Sequence, residues 1–427
     1  MAQTHRLDLT FLLLTLILFV TACGAPESPT ARETPRQVGG ALVVRETESP
    51  APPDSREPEM FSTADGRVIL SWVEKVGEKR YALRFAERGP EGWGAPLSVA
   101  EGDDWFVNWA DFPSVVKLAD GSLAAHWLVK SGTGTYSYDV HVARSNDGGK
   151  TWGRSVVPHT DGTQTEHGFV SLLPLEGGRL GAFWLDGRNL KDLKSHEEEH
   201  GPLSASMTLR FAALDAEGRL SDEAELDARV CECCQTSAAL TSEGPLVVYR
   251  DRSGEEVRDI FYVRRQGSTW SEPKPVHADG WRVEGCPVNG PSVAAEGRRV
   301  AVAWYTEAPD GPRVQAAFSD DAGATFGPPV RVDDGDAQGR VDVLLLPDGS
   351  ALVCWLAGTP EKGAVKVRRV ARDGTLDPAS VVAESDIARS SGFPRMARHG
   401  SEVHFAWTRF GKPPRAHTAS ADVSAFR

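Results

Sequence analysis

Ser114-Val-Val-Lys-Leu-Ala-Asp-Gly-Ser-Leu-Ala-Ala-His-Trp-Leu-Val129 reads as an apolar strand, a glycine turn, and a second strand that ends on an aromatic residue. Apolar side chains alternate with small or polar ones, the period of two that belongs to a sheet. Working outward, the pattern returns at 61–74 (Trp72), 170–186 (Trp184), 237–251 (Tyr249), 292–306 (Trp304), 342–357 (Trp355) and 395–409 (Trp407). With Trp127 these aromatics stand 51 to 65 residues apart. A further pair of strands follows each copy, as in DVHVARSNDGGKTWG (139–153) and RVQAAFSDDAGATFG (313–327). No stretch keeps a helical period over three turns. Four strands in a unit of about fifty residues predicts an all-β fold, a β-propeller of four-stranded blades. Seven units are counted; six blades is the alternative if one degenerate unit is an insertion. The last unit ends near Ser420 with three strands evident. The segment 41–45, Ala-Leu-Val-Val-Arg, is a strand candidate that can supply the fourth and close the ring. An open ring would leave sheet edges exposed.

The chain begins differently. Arg6 precedes the apolar run Phe11–Val20, too short to span a bilayer at roughly 20 residues but of signal-peptide length. Val20-Thr21-Ala22-Cys23 resembles the lipobox of bacterial lipoproteins, which implies that residues 1–22 are removed and that Cys23 carries the lipid. Residues 23–58 then read as a tether rich in Pro, Glu, Ser and Thr, which cannot bury enough apolar surface to order itself. The expected partner is therefore a membrane, reached through the anchor, and the expected location is the bacterial cell envelope, at the outer membrane or cell surface. The repeat region runs from 59 to 427. A net charge of −13 leaves no general basic surface, which argues against nucleic acid as a partner.

Ser145-Asn-Asp147-Gly-Gly149-Lys-Thr151-Trp152 and Ser319-Asp-Asp321-Ala-Gly323-Ala-Thr325-Phe326 resemble the Asp-box of sialidases and of the wider group of BNR-repeat propellers. The resemblance strengthens the propeller and says little about activity. In that family the box is structural and lies opposite the ligand face, so Asp147 and Asp321 are not catalytic candidates. Sialidases hold a substrate carboxylate with three Arg, use a Tyr assisted by a Glu as nucleophile, and an Asp as acid/base. The arginine motif F/Y-R-I-P that supplies their first Arg has no match here. Its nearest counterpart, Asn108-Trp-Ala-Asp111-Phe-Pro113, carries no Arg.

Loops that enter each inner strand, or that join the second and third strands, converge on one face of a propeller. They carry Trp105, Asn108, Trp109, Asp111, His167, Arg188, Arg250, Asp251, Arg340 and Arg395 as candidate ligand-binding residues, with His196 and His200 in the long loop 185–207. Trp105 and Trp109 fall outside the once-per-blade aromatics and suit stacking on a sugar or other ring. Asp111, Arg188, Tyr249, Arg250, Arg252 and Arg258 are the catalytic candidates under a sialidase-type reading, with Tyr305 a second tyrosine; surface ion pairing across a hairpin is the simpler account of Arg250 to Asp259. His126, His141 and His404 sit on strands and suit packing. Cys231, Cys233 and Cys234 open one blade and Cys286 opens the next at the corresponding position, so all four are expected to meet. Two outcomes suit them: a disulfide from the trio to Cys286, or a thiolate site for Zn or Cu(I), with His167 or His196 nearby. Cys354, beside Trp355, reads as a buried thiol. Three functions follow: a ligand-binding propeller for a glycan or small molecule on the Cys/Arg-rich face, an exo-sialidase-type glycoside hydrolase, or a thiolate metal protein.

Overall fold

The computed structural model describes Met1 and residues 41–191, 206–359, 362–409 and 411–424. The apolar run 11–20, Cys23, His196 and His200 lie outside the described residues.

Seven antiparallel sheets follow one another as the blades of a β-propeller, and the six-blade alternative falls. Blade 1 is Ser55–Ser62, Val68–Lys75 and Tyr81–Gly89, with Gly92–Trp93 and Leu97–Gly102 both on its third strand. Blade 2 is Ser114–Lys117, Leu123–Lys130 and Tyr138–Ser145, its fourth position reduced to a bridge between Val142 and Val156. Blade 3 is His167–Pro174, Leu180–Asp186, Met207–Leu214 and Leu220–Val230; blade 4 is Ser237–Thr241, Gly244–Arg250 and Ile260–Gln266 with two short outer strands. Blade 5 is Ser292–Glu296, Arg299–Thr306, Arg313–Ser319 and Val330–Arg331, and blade 6 is Ala337–Leu345, Ala351–Thr359, Lys362–Val370 and Ser380–Ser385. Blade 7 takes Arg395–His399, Glu402–Arg409 and Arg415–Asp422 from the end of the chain and Val44–Thr47 from its beginning. Val44 pairs with Ala421 and Thr47 with Thr418, so the ring closes through a ladder between distant parts of the sequence.

The recurring aromatics explain why blades stack. Trp72, Trp184, Tyr249, Trp304, Trp355 and Trp407 are all fully buried, and the apolar clusters they join mostly draw residues from two adjacent blades. Each such side chain buries about 150–250 Å². A blade alone would leave one face of its sheet wet.

The turns at 145–152 and 319–326 are closed alike by their own side chains. Ser145 Oγ accepts from Gly149 N at 2.9 Å, and Asp147 accepts from Thr151 N at 2.9 Å and from Thr151 Oγ1 at 2.6 Å. The second turn repeats this with Ser319, Asp321 and Thr325. Gly149 and Gly323 are required twice over: both hold φ near +80° (84° and 77°), and a Cβ would meet Phe85 at 2.3 Å and Leu246 at 2.1 Å.

A less obvious regularity positions the loop face. The inner strands of blades 1, 3 and 6 are bulged at their starts, and Glu57, Phe169 and Arg340 there hold φ of 54°, 53° and 53°. A bulge takes an amide out of the ladder and re-aims it. Phe169 N donates to Asp111 Oδ1 at 2.8 Å, Arg340 N to Asn289 Oδ1 at 2.7 Å, and Glu57 N to Thr408 Oγ1 at 3.2 Å. Each freed amide is thus caught by a side chain of the preceding blade, which latches neighbouring blades at the rim.

Candidate functional site

Entry loops of several blades meet above the central channel. The channel encloses about 710 Å³ between the inner strands, with Glu59, Asp111, Gln235, Ser292, Asp342 and Arg395 among its lining. Trp109 stacks on Phe393 with ring centroids 6.0 Å apart, Arg340 covers Trp109 at 4.9 Å, and Arg395 covers Phe112 at 4.4 Å. Gln235 ties the cover together, donating to Ala110 O and accepting from Gly290 N. Arg395 also pairs with Glu59 at 2.8 Å and stands 3.8 Å from Asp342. Burial pushes the Glu59 carboxyl up to about 7 despite Arg395.

The cysteines open blade 4 beside this cover, and Cys233 packs against the same apolar cluster as Trp109 and Phe112. Cys231 Sγ lies 3.4 Å from Cys234 Sγ and 3.9 Å from Cys233 Sγ. Cys286, on the loop that enters blade 5, is exposed and lies near Cys233. Cys231, Cys233 and Cys234 form one close group. The disulfide, one of the two expected outcomes, does not join the trio to Cys286, and the described cysteines are free. Arg258 Nη1 donates to Cys231 Sγ at 3.3 Å and Asn289 N to Cys234 Sγ at 3.4 Å. Burial opposes ionisation of Cys234, but hydrogen bonds from Cys231, Cys233 and Asn289, with the Arg250 charge, hold its pKa well below the ordinary thiol value. A hydrogen bond from Cys233 lowers Cys286 as well. Cys231 and Cys233 are pushed up, chiefly by burial. The group thus sets two lowered sulfurs beside two raised ones, with the Arg258 guanidinium on Cys231. Cys354 is a separate buried thiol on blade 6.

The arginines expected at a substrate carboxylate are otherwise engaged. Arg250, reckoned a surface ion pair or a clamp, is 1% exposed and gives its donors to the carbonyls of Asn289, Arg258 and Tyr305, with its plane over Trp281. Arg252 and Arg258 are buried between Glu232 and Glu256. Arg188 is held by Asp186 at 2.7 Å, and Arg340 donates to Ala388 O and Gly392 O. Tyr249 is fully covered and donates to Asp227 at 2.5 Å; Tyr305 donates to Glu307. Asp251 is half-buried, its carboxyl pushed to about 7 by burial and by Asp227. Among the described residues these groups form no free three-arginine clamp beside an accessible tyrosine.

Trp105, expected to offer a stacking face, instead turns inward and lies 6.0 Å from Trp127 at 24°. Asn108 shapes the loop, accepting from Ala110 N. His167 does not join the sulfurs; it is fully buried against His159, Asp139 and Asp161. His126 and His404 are buried on their strands and His141 bonds Ser155.

Pattern reading missed Tyr138 and Glu166. Tyr138 OH lies 2.9 Å from Asp111 Oδ2 and 2.8 Å from Glu166 Oε1. One hydroxyl proton cannot serve two carboxylates, so both bonds form only when one carboxyl is protonated. Burial makes that the ordinary state, pushing Asp111 to about 7 and Glu166 to about 8. Tyr138 is fully buried under Phe106, stacked at 3.9 Å, so this trio shares a proton inside the wall. Both residues stand at strand starts, and nothing in the period of two distinguishes them.

No family profile matches the chain, and no curated protein sequence is similar to it. Among solved structures, a Dyadobacter fermentans protein of unknown function is similar at 15% identity, over 91% of this chain and 99% of that one, with a TM-score of 0.50. The NanB sialidase of Streptococcus pneumoniae is similar at 10% identity over 92% of this chain and 71% of its own (TM-score 0.46). The GH93 α-L-arabinofuranosidase of Fusarium graminearum is similar at 11% identity over 91% and 99% (TM-score 0.47). At such identity the likeness extends to the propeller fold alone.

Proposed function

We propose that this chain is an envelope-anchored propeller lipoprotein that binds a soft metal ion, Cu(I) or Zn(II), through Cys231, Cys233, Cys234 and Cys286. The spacing of the sulfurs carries the reading. A tetrahedral zinc–thiolate site with bonds of about 2.3 Å has sulfur–sulfur edges of about 3.8 Å; Cys231 stands 3.4 Å from Cys234 and 3.9 Å from Cys233, and Cys286 is the proposed fourth ligand. Soft thiolates select Cu(I) or Zn over hard cations. Two thiols already biased toward ionisation lower the cost of proton release on binding. The anchoring rests on the lipobox resemblance at Cys23. The ligand site of the Cys/Arg-rich face is on this view a metal site, with the arginines compensating its negative charge.

The test is anaerobic purification of the mature chain, thiol counting, and competition with a chromophoric chelator for Cu(I) and for Zn²⁺. One equivalent of Cu(I) bound per chain, lost in the Cys231→Ser, Cys234→Ser double variant, is expected, and for Zn²⁺ the same variant should lose one equivalent relative to the parent. Four freely titratable thiols with no measurable metal affinity would sink the reading.

A further inference from the structure

A second group of ligand atoms lies at the rim between blades 2 and 3. Asp139 opens the third strand of blade 2, His159 and Asp161 lie in the segment crossing to blade 3, and His167 opens its inner strand. Asp139 Oδ1, His159 Nε2 and His167 Nδ1 are buried atoms without a hydrogen-bond partner. They face one another: the carboxylate oxygen is 3.9 Å from His159 Nε2 and 3.5 Å from His167 Nδ1, and all three fall within 4.8 Å. His159 is 8% exposed and His167 not at all. Buried polar atoms are normally paired, and three orphans converging on one point are a ligand set in want of a cation.

The opposite edges of both rings explain why these nitrogens are bare. Asp161 Oδ2 is 3.2 Å from His167 Nε2 and 3.4 Å from His159 Nδ1. The carboxylate thus hydrogen-bonds His167 Nε2 and stands beside His159 Nδ1, and the two imidazoles lie parallel with centroids 3.8 Å apart. Each ring thus sets one nitrogen toward Asp161 and the other toward Asp139, an arrangement related to the carboxylate–histidine–metal triads of many metal sites. Asp161 is itself fixed by Thr163 N at 2.9 Å and lies 3.3 Å from Arg188. Asp186, 3.8 Å from His167 Nε2, takes Trp184 Nε1 and Arg188. Three carboxylates around two imidazoles, with Arg188 the cation closest to them, leave the pocket short of positive charge.

We propose that Asp139, His159 and His167 bind a divalent transition-metal ion of the zinc type, with Asp161 as the positioning residue beside both rings. Nitrogen and oxygen ligands at about 2.0–2.2 Å in a tetrahedron stand roughly 3.4 Å apart, so the observed 3.5 and 3.9 Å need only a small contraction. Two imidazoles and a carboxylate suit zinc or ferrous iron far better than Cu(I), and the site is chemically distinct from the cysteine group. The Asp139 side chain is 25% exposed, which gives the ion its way in and leaves a coordination position open to water or a ligand. A proton on His167, bridging Asp139 and Asp161, is the competing occupant.

The mature full-length chain carrying Cys231→Ser and Cys234→Ser isolates this site from the thiols. Titrated with Zn²⁺ by calorimetry, it is expected to take one equivalent. His159→Gln should abolish the uptake and Asp161→Asn should weaken it about 10- to 100-fold. No uptake, or uptake indifferent to His159→Gln, overturns the proposal. Should the variants fail to fold, the unmodified chain decides through its Co²⁺ spectrum and histidine ¹⁵N resonances. A nitrogen/oxygen ligand-field band additional to thiolate charge transfer, with His159 Nε2 and His167 Nδ1 shifted by Zn²⁺, supports the site. Ring nitrogens unmoved by zinc refute it.

Discussion

The guanidinium of Arg258, on the loop before the third strand of blade 4, donates to the sulfur of Cys231 at 3.3 Å while holding Glu232 and Glu256. One side chain therefore supports both the sulfur group and a buried ion network with Arg252. Arg258→Met leaves Glu232 with a single cationic partner in a covered site. A loss of about 3–5 kcal/mol in unfolding free energy is expected, read from urea melts at neutral pH. Soft-metal affinity should fall in parallel.

Cys286 is the exposed member of the group, and its lowered pKa depends first on a hydrogen bond from Cys233. It should be the first cysteine alkylated by iodoacetamide under native conditions. Cys233→Ala removes the donor, raises the Cys286 pKa toward that of a free thiol and slows the reaction at neutral pH. Peptide mass mapping against time measures this. Cys354, fully buried, should label only after unfolding.

Glu57 is buried in the latch of blade 1, with Oε2 unpaired, and its carboxyl is pushed from 4.5 to about 8, chiefly by burial. Its folded-state pKa exceeds its unfolded one, so its contribution is best below the unfolded value and is lost as pH rises through the folded value. Glu57→Gln imitates the protonated form at every pH. The variant should match the parent near pH 4.5 and exceed it in stability by roughly 1–4 kcal/mol near pH 8. Denaturant melts at the two pH values check the sign.

Removing residues 41–47 strips the outer strand from blade 7 and uncovers Arg415–Asp422. An unpaired edge of that length is a template for another chain. Lower thermal stability together with concentration-dependent association by light scattering is the expected result. A monomer of unchanged melting temperature would contradict it.

Blade number and the aromatic of each blade were legible in the sequence because each follows from periodicity alone. Whether a charged side chain in a loop is covered does not. Arg250 looks available on its strand end, but Asn289 and Tyr305 of the next blade supply the carbonyls that enclose it. Trp105 turns inward because Trp127 on the adjoining strand offers it a ring. His159 sits in a crossing segment with no pattern at all, and its partners Asp139 and His167 belong to different blades. Tyr138 and Asp139 alternate correctly as strand residues, which masks that one reaches Glu166 and the other the histidines.

The ladder of Val44–Thr47 on Arg415–Asp422 also has a mechanical meaning. Tension running along the chain from its early residues reaches the fold at 41 and is met first by these four paired positions. A pull on the chain's early residues would be relieved by peeling one short strip, before any inter-blade tryptophan is disturbed.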